Sequence, residues 1–239
     1  LSEFLARSMQ AYPARRYAVL LREQDSLAAQ PVQQALQQAR QRSGRDIDLI
    51  ALDSAAMQQA EIAYTLRNEA QVMVAPQARL SDQAFPYEET LAILKQNPKI
   101  SAPQLGSQIV QQQAQKSPRS VQTAVDLQAQ PALSAALKKA VDTLIQEKVP
   151  VELIYTSMMR VRPIEAQDPS QPAFDLRDLP SFLSHLAEDP RLTSEAAQAA
   201  LREALEAQQQ TLLAHHNGPQ AAGKRPRKQC FSALAGSHW

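Results

Sequence analysis

The sequence predicts an α/β fold: a parallel-rich sheet sandwiched by helices, followed by a C-terminal helical annex. Three observations predict it. Short continuous apolar runs, the mark of strands covered on both faces, recur at 17–21, 47–52 and 71–75. Amphipathic segments of helical period separate them. The resulting order of helix, strand, helix, strand, helix, strand is the chain signature of a parallel sheet with helices on both faces.

Each element follows from its own residues. Leu1, Phe4, Leu5, Met9 and Tyr12 recur at helical spacing, and Pro13 closes that first helix. The run Tyr17-Ala18-Val19-Leu20-Leu21 is the first strand. Residues 28–42 form a polar helix with Val32, Leu36 and Ala39 inward, ending at Gly44. Ile47-Asp48-Leu49-Ile50-Ala51-Leu52 is the second strand. Residues 56–69 return to helix on a stripe of Met57, Ile62, Ala63 and Leu66, and Gln71-Val72-Met73-Val74-Ala75 is the third strand. After a loop over 76–86, residues 87–96 and 102–114 read as helices, 120–126 as a fourth strand and 131–147 as a further helix. Beyond Pro150 the alternation stops, with helices expected over 176–187 and 193–216. Residues 218–239, which include Lys224-Arg225-Pro226-Arg227-Lys228, read as a disordered basic tail. The expected divisions are thus 1–149, an α/β domain; 150–217, the helical annex; and 218–239, the tail.

Composition narrows the chemistry. The chain has 239 residues, 44% of them hydrophobic, which is enough to bury a core. A formal net charge of +1 gives no electrostatic case for nucleic-acid binding. Five glycines, where average usage would give roughly 17, never form G-x-G or a P-loop, so no phosphate cradle and no cofactor is expected. One cysteine, Cys230, excludes an intrachain disulfide and every Cys-pair zinc motif. The histidines at 185, 215, 216 and 238 lie in the last quarter. His215 and His216, read as ending a helix, complement its partial negative charge rather than chelate a metal, and no metal site is expected. The 32 glutamines are dispersed over helix surfaces and not gathered in a tract. No apolar run reaches the 18 residues of a membrane span, and no signal peptide is visible. The chain opens inside a helix without Met, so a fragment or processed product is expected.

In an open parallel sheet the chemistry gathers beyond the carboxyl ends of the strands. That selects Glu23-Gln24-Asp25-Ser26, Asp53-Ser54-Ala55 and the 76–86 loop. No histidine stands at any of these strand ends, so a Ser or Cys dyad has no base there. Ser54 reads as the cap of a helix starting near Ala56, and Asp53 as a strand-end group satisfying backbone donors. Glu61 reads as a structural partner.

These residues resemble the clostripain family of cysteine peptidases. The strand 47–52 followed by Asp53-Ser54-Ala55-Ala56-Met57 and Glu61-Ile62-Ala63-Tyr64-Thr65-Leu66 is similar to that family's apolar strand, D-A-C-L-M and E-V-A-Y-E-L. Val72-Met73-Val74-Ala75 is similar to its Y-M-V-A strand, and Phe85-Pro86-Tyr87 to its W-P-Y. The likeness extends over 1–216 and is best over 47–87. It implies a caspase-like fold, proteolysis by a bacterial cysteine endopeptidase that cleaves after Arg or Lys, and a secreted or periplasmic location. It also implies further strands, ahead of the segment matching Leu1 and near 221–232, and the expectation is that both are absent or scrambled in this sequence; an incomplete sheet exposes an edge.

The same resemblance marks where the chemistry departs. The family's nucleophilic cysteine falls on Ala55, and the histidine of its D-H-G motif falls on Gln24, with Asp25 in place of the glycine. The acid of its specificity pocket falls near Gln83, beside Asp82, and the P-G-x-G loop there reads Ser81-Asp82-Gln83-Ala84. An isolated Cys-to-Ala change at 55 would leave Gln24 and 81–84 unexplained. Alanine and glutamine cannot run thiolate attack. The expectation is a pseudopeptidase with a remnant cleft of Asp25, Ser26, Asp53, Ser54, Asp82 and Gln83, binding a protein or peptide there or at an open sheet edge, with neither nucleic acid nor membrane as partner. The alternatives are an active endopeptidase whose dyad lies elsewhere, or a truncated product with no selected role.

Overall fold

The structure is a computed structural model that describes residues 1–22, 28–54, 57–77, 85–161, 176–218 and 233–234. Its strands are β1 (Ala18–Arg22), β2 (Leu49–Asp53), β3 (Val72–Pro76), β4 (Val121–Asp126), β5 (Arg177–Asp178), β6 (Leu212–Asn217) and β7 (Ala233–Leu234). Its helices are α1 (Ser2–Ala11), α2 (Ala29–Ser43), α3 (Ala60–Leu66), α4 (Tyr87–Gln96), α5 (Ala102–Lys116), α6 (Gln130–Gln146), α7 (Val151–Arg160), α8 (Leu179–Ala187) and α9 (Glu195–Gln210). Five strands form one sheet in the order β1-β2-β3-β4-β6, and β5 pairs with β7 in a second, small sheet.

Alternation along the strands builds the layers, because successive side chains point to opposite faces. Ile50, Leu52, Met73, Ala75 and Val125 face one side, where they pack with Leu36 of α2, Leu66 of α3 and Met9 of α1. Leu49, Ala51, Val72, Val74 and Ala124 face the other, against Leu105, Ile109 and Val110 of α5. Such strands are apolar at every position because both faces are covered. Gly106 lets α5 sit low on its face: a Cβ there would meet Val72 Cγ1 at 2.9 Å and Ala124 Cβ at 3.4 Å.

The sheet is parallel through β1, β2 and β3. β4 runs antiparallel to β3, and β6 antiparallel to β4. β6 corrects the expected helix over 193–216. The helix stops at Gln210, where buried Thr211 turns its Oγ1–H onto the Gln208 carbonyl at 2.8 Å. The next six residues then pair with β4, from Val121↔Asn217 to Val125↔Leu212. A pairing between residues about ninety apart in sequence overrides a local helical pattern. The region expected to be wholly helical therefore supplies a strand of the main sheet.

Two further differences are local. Val151–Arg160 forms a helix within the expected annex, ahead of the two helices singled out there, and α3 is shorter than the expected 56–69. Helices α7, α8 and α9 share a core with α6, through Leu144, Leu153, Leu183, Leu186 and Leu201. Asp189 reinforces it: its buried carboxylate takes Arg160 of α7 at 2.9 Å and Arg191 at 2.8 Å. Within the segment expected to be a disordered tail, Ala233–Leu234 pairs antiparallel with Arg177–Asp178; 219–232 and 235–239 lie outside the described residues.

Candidate functional site

Because β1 and β2 are parallel neighbours, their carboxyl ends lie side by side, with Arg22 in register with Asp53. This is the sheet end where an open parallel sheet places its ligands. Of the residues expected to line the cleft, Asp53 and Ser54 are described. Gln24, Asp25, Ser26, Ala55, Asp82 and Gln83 lie outside the described residues.

Asp53 closes β2 with a side chain only 12% exposed. Tyr87, the first residue of α4, donates its hydroxyl to Asp53 Oδ2 at 2.8 Å. Arg22 Nε stands 3.6 Å from the same oxygen, and its own side chain is mostly open to solvent. The carboxylate thus meets a phenol and a guanidinium, not the backbone donors expected of it. Phe85 fixes the phenol from behind: it is buried, and its ring centroid lies 5.0 Å from that of Tyr87 at a tilt of 52°. Burial, then the hydrogen bond to Asp53 and its negative charge, push the Tyr87 phenol up to about 12, while Arg22 pulls the other way.

Ser54 follows β2 and is buried. It does not cap the next helix, because α3 begins at Ala60 with Gln59 at its N-cap. Between them, Gln58 donates its backbone N–H to the Pro76 carbonyl at 3.0 Å, and Gln77 donates its own to Val121 at 3.1 Å. These bonds lace the ends of β2, β3 and β4 together. Glu61 lies in the first turn of α3.

The histidine pair is on a strand and not at a helix end, which removes the helix-dipole account of it. His215 Nδ1 is 3.0 Å from Thr123 Oγ1, and His216 Nε2 is 3.1 Å from the Pro118 carbonyl. Burial, with a smaller contribution from the charge of His216, lowers His215 to about 4. β6 is three strands from β2. At about 4.8 Å per strand, its imidazoles stand roughly 14 Å from the Asp53 tip, far outside hydrogen-bonding reach. Among the described residues no cluster of three or more His, Cys, Asp or Glu is placed to hold a metal ion, and no helix is long and apolar enough to cross a membrane.

Chemically, the described part of the site offers a fixed carboxylate, a phenol held protonated and an exposed guanidinium. Sequence reasoning missed Arg22 altogether and read Tyr87 only as part of a motif. The signal for Arg22 was present: it is the one charged residue abutting the run 17–21 on its carboxyl side.

The sequence model of the clostripain family, peptidase family C11, matches residues 14–227. Among solved structures, the chain is similar to an inactive zymogen C11 protease from Parabacteroides distasonis, with 17% identity and a TM-score of 0.67, covering 100% of this chain and 66% of that one. It is also similar to a secreted C11 cysteine protease from Bacteroides thetaiotaomicron, iotapain, with 14% identity and a TM-score of 0.62, covering 90% of this chain and 63% of that one. A C11 protease from the same organism in complex with an irreversible peptide inhibitor gives 15% identity, a TM-score of 0.61, and coverage of 90% and 62%. The chain thus spans less than two thirds of the length of these structures. The shared architecture is the caspase-like α/β fold. No curated protein matches the sequence.

Proposed function

The chain belongs to the clostripain family, and from that membership we propose that it is a pseudopeptidase: a peptidase-fold protein without the Cys/His dyad, which works by holding a protein or peptide at the tips of β1 and β2. One observation carries the reading. Alanine occupies position 55, where the family motif has its cysteine, and glutamine occupies position 24, where it has its histidine. Neither side chain has a thiolate or imidazole to offer, and removing nucleophile and base from a hydrolase leaves only binding and oxyanion contributions.

Two further facts support the reading. Cys230, the sole cysteine, lies 175 positions beyond Ala55. The histidines of β6 are on the far side of β3 and β4 from the cleft. What remains at the tips is suited to hold a polar group through Arg22 and Asp53. A secreted or periplasmic bacterial protein fits the proposal, since one similar structure is that of a secreted bacterial protease.

The opposing reading is an active cysteine endopeptidase cleaving after Arg or Lys, favoured by the matched structures being proteases. A fluorogenic arginyl peptide separates the two. The pseudopeptidase releases no fluorophore above the buffer rate. Release that a covalent cysteine inhibitor abolishes refutes it.

A further inference from the structure

β6 closes on Asn217, which Gly218 follows. β4 runs antiparallel to β3 and β6 antiparallel to β4, so this pair lies at the same end of the sheet as Asp53. An Asn-Gly pair ordinarily marks a turn; here it finishes a ladder. Asn217 is in register with Val121. Gly218 donates its N–H to the Ser120 carbonyl at 3.0 Å, while Gln77 donates to the neighbouring Val121 carbonyl at 3.1 Å. His216 Nε2 stands 3.1 Å from the Pro118 carbonyl. Packing dictates the glycine. A Cβ at 218 would overlap the Pro118 carbonyl oxygen and the main chain of Arg119, which cannot swing aside as a side chain would.

That requirement has a chemical consequence. With no Cβ beside it, the Gly218 nitrogen is the least hindered kind of neighbour for an asparagine side chain. Once solvent base removes its proton, the nitrogen bonds to Asn217 Cγ. The Cγ–Nδ2 bond then breaks, and Nδ2 leaves as ammonia with a proton from water. One further water opens the five-membered imide. Opening at Cγ leaves an aspartate, and opening at the main-chain carbonyl leaves an isoaspartate, whose backbone is one carbon longer. In the fold, Ser120 holds the N–H that must be lost. Closure also needs rotation about ψ of Asn217, which its place in the ladder prevents.

We propose that Asn217 is a site of spontaneous deamidation that the β4–β6 ladder holds shut. It reacts only when the end of β6 detaches. The isoaspartate product then cannot reseat, because the longer backbone carries Gly218 out of register with Ser120 and into Pro118. The site is independent of the binding role proposed above.

The three asparagines supply internal controls: Asn68 precedes Glu69, Asn97 precedes Pro98, and Asn217 precedes Gly218. The 239-residue chain is incubated at mildly alkaline pH, native and in guanidinium chloride. Tryptic mass spectrometry follows the conversion of each amide to acid, and isoaspartyl methyltransferase labelling detects the isoaspartate. In denaturant Asn217 converts about tenfold faster than Asn68 or Asn97. In the native chain its conversion is about tenfold or more slower than in denaturant, by the factor that slows hydrogen exchange of the Gly218 amide, because both reactions need the same N–H freed. The purified isoaspartate form, returned to native buffer, lacks that protection. Equal rates in native and unfolded chains overturn the proposal. So does an unfolded Asn217 no faster than the other two, a native rate unrelated to exchange at Gly218, or an isoaspartate form that keeps the protection. Turnover of an arginyl substrate would refute the inert dyad and leave these outcomes unaffected.

Discussion

Asp53 and Tyr87 are 34 residues apart, and neither residue alone announces the other. Asp53 is nearly buried at a strand tip, where a carboxylate needs donors, and the phenol is its close one. Tyr87→Phe keeps the ring against Phe85 and deletes the donor. Losing a hydrogen bond to a charged, mostly buried acceptor costs about 1–2 kcal/mol. Urea unfolding of that variant should show a lower midpoint with an unchanged slope; an unchanged midpoint would mean that Arg22 or water suffices. The raised phenol also fixes a pH dependence. An unfolded tyrosine deprotonates near 10 and folded Tyr87 near about 12, so the native state holds the extra proton between those values. Its contribution to stability is fully present below pH 10 and is lost as pH rises towards 12. Of five tyrosines, one should ionise late at 295 nm, and that late phase should vanish in Tyr87→Phe.

At the scale of elements, β1, β2, β3, α2 and α4 were legible because their patterns are local: apolar at every position for a covered strand, periodic for a half-covered helix. β6 was not. Leu212–Asn217 follows a helix with no glycine or proline between them, and what makes it a strand is β4, nearly a hundred residues earlier. The antiparallel direction of β4 was equally hidden, since an apolar run reads the same either way round. Helix α7 lies in the expected annex but was not singled out: apolar residues fall on both of its sides, Leu153 buried and Val151, Tyr155 and Met159 exposed, so no single apolar stripe marks it. Two predictions belong here. Gly106→Leu would drive a side chain into Val72 and Ala124, and overpacking of this kind costs about 1–3 kcal/mol, read as a lower urea midpoint; no loss would mean that α5 sits higher on the sheet. His215 is the second. It titrates near about 4 in the fold against about 6.5 unfolded, so the unfolded chain binds the proton first as pH falls. The stability it supplies is present above pH 6.5 and lost on the way down to 4. His215→Gln, which can still bond Thr123, should lose less melting temperature between pH 7 and pH 5 than the parent. Identical losses would place the acid sensitivity elsewhere.

The whole molecule separates scaffold from chemistry. The sequence belongs to the clostripain family and the sheet shares the fold of C11 proteases, while positions 24 and 55 carry glutamine and alanine, which cannot attack a peptide bond. The fold was readable because burial patterns are redundant across many residues. The proposed loss of the dyad was readable only through resemblance, since alanine at 55 and glutamine at 24 form no pattern of their own, and the Arg22–Asp53–Tyr87 cluster is assembled by tertiary contacts. The most direct test of the inert dyad is intact mass after incubation with an irreversible, cysteine-directed peptide inhibitor ending in arginine, with Cys230→Ser as the control for tail alkylation. The folded Cys230→Ser chain should gain no mass, and the parent no more than its denatured form gains. A stoichiometric adduct that forms only on the folded chain, accompanied by turnover of an arginyl substrate, would contradict the account.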